Sequence, residues 1–318
     1  MNAIGGYFEL ESSDRSLYHD DAVALNTGRN AFEYILQAGD YSRIFIPEYT
    51  CNVLLQPLLR LGLPYQTYSI DSQFEPDFNY AQLTASDAFL YTNYYGLKDH
   101  FISGLASQIP NLIIDNAQAF FSKPDAGFDA FYSARKFFGV PDGGFAYVRR
   151  RLDKSIEKDE SRGRIGHLMI RAELDAESGY ASFAQNEDAL NNNPVRRMSA
   201  LTERLLKMID YEKHAAIRRR NYLYLQDALQ SRNGISLPLP AGAVPMTFPY
   251  LDERNESLRQ RLIEQRIYVA RYWPEVLNLC SRDSVEYRYA AALIPLPIDQ
   301  RTTIQDLDLI IKTIKNAD

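Results

Sequence analysis

NLIIDNAQAFFSKPDAGFDAFYSARKFFGVPDGGFAYV, residues 111–148, holds three short apolar runs separated by turn signals. The first, Leu112 to Ile114, ends in a carboxylate, Asp115. The second, Phe128 to Tyr132, ends in Ser133 and then Lys136. The turn Pro141-Asp142-Gly143-Gly144 leads into the third, Phe145 to Val148. Apolar runs of this length between turn residues predict neighbouring buried strands. An acid and a lysine at strand ends stand where open α/β sheets keep their chemistry.

Outward from this stretch, strand and helix alternate. Residues 43–47, 65–70 and 88–93 read as strands, and 52–61 and 101–108 as helices, with Gly62 a C-terminal stop. Residues 25–36 predict a helix entered through Asn26, Thr27 and Gly28. Free backbone N–H groups there suit a phosphate and equally fit a plain cap. The alternation predicts an α/β fold: a mostly parallel sheet with helices on both faces. Residues 5–20 read as an irregular arm laid over the fold or over a partner subunit. Beyond Val148 come a mixed-charge segment (154–164), a polar stretch (171–193) and one long helical pattern from Arg197 to Leu229. Strands at 246–250, 267–270 and 293–298 and helices at 256–265 and 304–315 then predict a smaller α+β C-terminal domain. The expected division is a large domain over 1–205 and a small one over 206–318, joined by the long helix.

Composition excludes several classes. Among 318 residues, 46% are hydrophobic and 24% charged, the balance of a soluble protein with a substantial core. Mean hydropathy is -0.34 and no apolar run approaches about 18 residues, so no membrane partner is expected. A net charge of -6 disfavours a nucleic-acid partner. The N-terminus lacks the basic start and apolar core of a secretory signal, which predicts a cytoplasmic protein. Two cysteines, Cys51 and Cys280, are too few for a metal site and are not expected to pair in that compartment.

A lysine in apolar surroundings can serve as a neutral nucleophile, and a buried carboxylate needs a cation or donors. Pyridoxal phosphate asks for both, since a lysine takes its aldehyde and an acid keeps its ring nitrogen protonated. It also asks for a group on the ring face and a phosphate seat. Lys136, Asp115, Gln118 and the Gly28-Arg29-Asn30 helix start offer these parts. Each also has a plain reading: a surface lysine, a turn aspartate, a helix cap.

As a set, Thr27-Gly28-Arg29-Asn30-Ala31, Ile46-Pro47-Glu48-Tyr49-Thr50, Tyr95-Gly96, Asp115-Asn116-Ala117-Gln118 and Ser133-Ala134-Arg135-Lys136 resemble, in order, motifs of the DegT/DnrJ/EryC1/StrS aminotransferases. Arg197-Met198-Ser199 and Ile294-Pro295-Leu296-Pro297 resemble two further segments of that family. The resemblance implies a fold-type I architecture with a mostly parallel seven-stranded sheet between helix layers. It implies a homodimer with sites at the interface, and an amino transfer from glutamate to a keto sugar nucleotide in amino-sugar or polysaccharide biosynthesis. Lys136 would join the cofactor and shuttle the proton, with Asp115 at the ring nitrogen and Gln118 near the ring. Ser133 and the amides of Gly28, Arg29 and Asn30 would hold the phosphate. Cys51 stands where the family often has a stacking aromatic, so Tyr49 or another residue would have to stack. Val195 stands where an asparagine reaches the partner's phosphate. Arg271 and Trp273 are candidates for substrate contact, or alternatively a structural turn with a solvated arginine. The alternative from another class is a non-catalytic protein that binds pyridoxal phosphate or a sugar nucleotide on the same fold.

Overall fold

A computed structural model describes residues 4–11, 13–124 and 127–316. The first half runs β1 (Val23–Leu25), α1 (Gly28–Ala38), β2 (Arg43–Pro47), α2 (Leu55–Leu61), β3 (Tyr65–Ile70), β4 (Pro76–Asp77), β5 (Asp87–Thr92), α3 (Asp99–Ala106), β6 (Leu112–Asn116), β7 (Asp129–Ser133) and β8 (Gly144–Tyr147). Then follow α4 (Gly166–Glu173), α5 (Ala176–Leu190), α6 (Ala200–Lys207), α7 (Tyr211–Leu229), β9 (Phe248–Leu251), α8 (Asn255–Glu264), α9 (Val276–Leu279), α10 (Val285–Ala292), β10 (Leu293–Leu296) and α11 (Ile304–Lys315).

The main sheet has eight strands in the order β1-β8-β7-β6-β5-β2-β3-β4. Its centre, β7-β6-β5-β2-β3, is parallel, and β8, β1 and β4 join antiparallel. Seven strands were expected; the eighth is the two-residue β4, too short to leave a hydrophobic pattern. β5 and β6 are buried along their whole length, as parallel strands covered on both faces must be. Side chains alternate between two cores. Phe89, Tyr91, Leu112, Ile114, Ala130 and Tyr132 enter one, while Ala88, Leu90, Ile113 and Phe131 enter the other, beneath α1 and α2. Each large side chain so enclosed contributes about 1.5–3 kcal/mol.

Three differences from the sequence reading have physical causes. The long pattern from Arg197 to Leu229 is two helices, because Asp210 accepts the Lys213 N–H at 3.1 Å and starts α7 afresh. The polar stretch 171–193 forms most of a hairpin, α4 and α5, with Asp175 capping α5. Its buried face is sparse, with Gly179, Asn186 and Leu190 alone on α5, so the apolar period is faint. Residues 267–270 form no strand: the Val269 and Ala270 carbonyls accept from Arg259 Nη1 at 3.1 and 2.8 Å. The N-terminal arm divides. Tyr7 and Phe8 are 99% and 98% exposed, whereas Tyr18 and His19 pack into the aromatic core beside Phe120.

One register row places the chemistry. Ser133 pairs with Gly144, and Gly144 pairs with Leu25, so α1 begins beside the end of β7. A Cβ on Gly144 would overlap the Thr27 carbonyl and lie 2.6 Å from the Gly28 nitrogen, both of them backbone. Gly144→Ala is therefore expected to destabilise the protein by about 3 kcal/mol or more. Gly163→Ala, at a glycine with open space around it, should change stability by less than about 0.5 kcal/mol. Urea unfolding of the two variants checks this, and equal stabilities would refute it.

Candidate active site

β5, β6 and β7 end together, because Thr92 pairs with Asp115 and Asp115 with Phe131. The carboxyl edge of the parallel sheet thus presents Asp115 and, just beyond on β7, Ser133. Asp115 is 7% exposed. Its Oδ1 accepts the Ala117 N–H at 2.8 Å. Burial pushes its carboxyl above the ordinary value, and the Lys136 ammonium and the Ala117 N–H partly oppose that. Lys136 is thus close enough to act on Asp115 electrostatically, although the two make no ion pair among the described residues.

Gln118, at the turn after β6, has one committed end and one open end. Its Oε1 accepts the Tyr95 N–H at 2.9 Å, while its buried Nε2 has no partner. That bond holds Tyr95 at φ 59, a conformation that is uncommon for a bulky residue.

On the next row, the Gly28 position faces Ser133: a Cβ there would lie 3.2 Å from both the Ser133 Cβ and the Tyr132 carbonyl. Thr27 caps α1 by accepting the Asn30 N–H at 3.0 Å. The amide of Asn30, one of the three expected to hold a phosphate, donates here to the cap. Its side chain is also occupied, donating to Asn26 Oδ1 and the Pro194 carbonyl, both at 2.8 Å. Arg29 reaches Gln56 at 2.7 Å and the Leu190 carbonyl at 3.2 Å. Gly28 and Arg29 remain as the first amides of a helix that points its positive end at Ser133.

Lys136 ends a single turn of 3-10 helix, Ala134–Lys136, and is exposed. The apolar burial expected for it is absent: Lys136 is exposed, while the adjoining Phe137 and Phe138 are the residues of this turn that enter the core. Lys136 lines two cavities, of about 550 and 280 Å³. Arg218, Asp299 and Arg301 line both. The segment is anchored one residue on: the Phe137 carbonyl accepts from Gln300 Nε2 at 2.8 Å and from Arg218 Nη2 at 3.4 Å. Arg218 is 1% exposed and lies 4.7 Å over the Phe137 ring. Burial pulls its guanidinium down to about 10, with Asp299 opposing.

Tyr49 is fully enclosed, edge-on to Trp273 at 4.7 Å and stacked with Tyr94 at 5.8 Å, so its ring offers no face to a ligand. Cys51, half-buried at the start of the following turn, is a free thiol, as is Cys280. Trp273 is likewise a core residue, and Arg271 pairs with Glu256 on the surface. From the same segment, Tyr268, Ala270 and Tyr272 line the smaller cavity, and Arg271 and Trp273 do not. Sequence reasoning also missed Arg218, Gln300, Arg301 and Arg171. Arg218 carried a signal, since it falls on the buried stripe of α7 with Asn221, Tyr222, Leu225 and Leu229.

No protein-family model matches this sequence. No curated protein sequence matches it significantly. Among solved structures, the chain is similar to a DegT DnrJ EryC1 StrS aminotransferase from Brucella abortus, with TM-score 0.62 and 17% identity, over 93% of this chain and 85% of that one. It is similar to DesV from S. venezuelae, with TM-score 0.64 and 18% identity over the same shares. It is also similar to the sugar aminotransferase CalS13 from Micromonospora echinospora, with TM-score 0.63 and 15% identity over 93% and 87%. At such identity these likenesses establish the fold. Among the described residues, no helix is long and apolar enough to cross a membrane and no cluster could hold a metal ion.

The raised Asp115 pKa fixes a pH dependence. Its folded value lies above the unfolded 3.8, so the group favours folding while protonated and disfavours it once ionised. Asp115→Asn, which keeps the acceptor for Ala117, should therefore melt at nearly the same temperature as wild type near pH 4 and at a higher one near pH 7. Thermal melts of the cofactor-free proteins across that range check the sign. A gap that shrinks with rising pH would contradict it.

Proposed function

We propose that this chain is a pyridoxal-phosphate-dependent aminotransferase that moves an amino group from glutamate to a keto group on a sugar nucleotide. The observation that carries this reading is the convergence of Asp115, Lys136 and the α1 start with Ser133 on one edge of the parallel sheet. The residues fit the cofactor. A carboxylate whose burial is unfavourable calls for a cation, which a protonated pyridine nitrogen supplies. The orphaned Gln118 Nε2 is a buried donor awaiting an acceptor. At Gly28 the α1 start comes so close to Ser133 that only hydrogen fits comfortably, and the amides of Gly28 and Arg29 with the Ser133 hydroxyl would take the phosphate.

Once bound, the cofactor supplies an electron sink that lets a proton leave the carbon bearing the amino group. The chain's residues do the rest. Asp115 would keep the ring nitrogen charged. Lys136 would hold the aldehyde and, as a free amine, would carry the proton. Arg218 and Gln300 fix the backbone next to that lysine. The solved relatives called aminotransferases support the same chemistry. We take the working unit to be a homodimer, a reading supported by the exposed Tyr7 and Phe8 of the N-terminal arm.

Purified protein mixed with pyridoxal phosphate should turn yellow, and borohydride reduction should fix the cofactor on the Lys136 peptide, read by mass. Lys136→Ala should lose that adduct, and its amino transfer from glutamate should fall by about 10³-fold or more. Lack of colour would refute the reading. Colour with no bleaching by any amino donor would make the chain a binding protein.

A further inference from the structure

A separate cavity of about 630 Å³ lies at the β1 edge of the main sheet and shares no residue with the two cavities at Lys136. Val23 and Ala24 of β1 line it together with the fully buried His19. Four cations also line it: Arg151, Lys154, Arg197 and Lys207. None of them has an ion-pair partner among the described residues. Arg151 donates to the Asp21 carbonyl at 3.0 Å and Lys154 to the Gln37 amide oxygen at 2.6 Å, both uncharged acceptors. The side chains of Arg197 and Lys207 make no hydrogen bond with the described residues. Two acids line the same cavity. Glu203 is taken by Lys158 at 3.1 Å, which leaves Asp20 as the one carboxylate there without an ion pair. Arg197 is held in place by its backbone alone. Its N–H donates to the Glu157 carbonyl at 2.8 Å, and its carbonyl accepts the Asp159 N–H at 2.9 Å. In the segment Arg197-Met198-Ser199, Met198 enters the core and Ser199 binds Asp142, while the Arg197 guanidinium is left at the cavity.

We propose that this cavity binds a small polyanion, a molecule carrying several negative charges on phosphate or carboxylate groups. Cations gathered in a cleft focus their field and raise the local concentration of an anion. The volume is that of a small-molecule pocket. Arg151 and Arg197 offer planar forks to paired oxygens, Lys154 and Lys207 act as point charges, and the Ser155 hydroxyl on the same wall adds a neutral donor. Neither Lys136 nor Asp115 takes part, so the site stands or falls apart from the proposed amino transfer.

The test is calorimetric titration of the full chain, without added cofactor, with tripolyphosphate and with citrate. At least one should bind, and the tighter of the two names the oxyanion. Arg197→Ala and Lys207→Ala should each weaken that ligand by about 3-fold or more, and the double variant by about 10-fold or more. Arg197→Lys should recover part of the loss. Both alanine variants should unfold in urea at the wild-type midpoint, since the side chains removed hold nothing in the free protein. The pair Lys213→Ala and Arg282→Ala takes the same charge from exposed positions outside these cavities and should bind as wild type. Ser133→Ala and Arg171→Ala, which alter the candidate phosphate seat and the Lys136 cavity, should bind as wild type too. The proposal is overturned if neither anion binds, or if the Arg197 and Lys207 double variant binds like wild type. It is equally overturned if the Lys213 and Arg282 pair, Ser133→Ala or Arg171→Ala weakens binding as much as that double variant does.

Discussion

The backbone contact at Gly144 is the constraint on which the candidate site depends. Two antiparallel strands, β8 and β1, are added to the parallel sheet, and their register returns the chain to the end of β7. There the Thr27–Gly28 peptide lies directly on the Gly144 Cα, with the Gly143 N–H donating to the Asn26 carbonyl at 2.6 Å. The helix dipole of α1 is thereby aimed along the row that holds Ser133. With any side chain at Gly144, α1 would have to move, and the seat between α1 and Ser133 would open. The turn itself is tied to later sequence: Asp142 accepts from the Ser199 N–H at 2.9 Å and its hydroxyl at 2.8 Å. A short hydrogen bond from the Thr202 hydroxyl adds to that anchor.

The second anchor is at the other pole. Lys136 is exposed, but its neighbour Phe137 is not, and the Phe137 carbonyl is held from α7 and from the loop after β10. An exposed side chain therefore sits on a backbone fixed from two sides. Arg218, which spans these parts, is buried at the expense of its charge, with its hydrogen bonds going mainly to backbone carbonyls.

How much of this was legible depended on the range of the interaction. The central strands, α1 and α11 were readable because their apolar periods are local and strong. The positions of Asp115 near the end of one buried strand and of Lys136 just beyond another were readable from the runs before them. The eighth strand was not, since two residues carry no period, and the α4–α5 hairpin was not, since its few buried side chains include Gly179 and Asn186 rather than a stripe of aliphatics. In residues 267–273 the expected contacts were Arg271 and Trp273. Tyr268 and Tyr272 line the cavity, while Arg259, ten residues before Val269, takes the Val269 and Ala270 carbonyls. Asn30 resembled a phosphate ligand in the motif, yet Thr27 had a prior claim on its amide. These departures arise where the apolar pattern is faint or where a nearby side chain takes a backbone group the motif left open.

The way the α4–α5 hairpin is fastened has its own consequence. Its base is held firmly, with Asn186 donating to the Pro141 carbonyl at 3.0 Å and Arg29 to that of Leu190. Its far side is held by Glu177 to Arg266 and Tyr268, a contact open to solvent, with side-chain exposures of 65% for Arg266 and 43% for Glu177. Water and dissolved ions compete with such a pair. The wall over Lys136 is thus fastened unevenly, by buried bonds at its root and by a solvent-screened pair at its far side. That exposed pair weakens as ionic strength rises, whereas the buried bonds at the root do not share its screening.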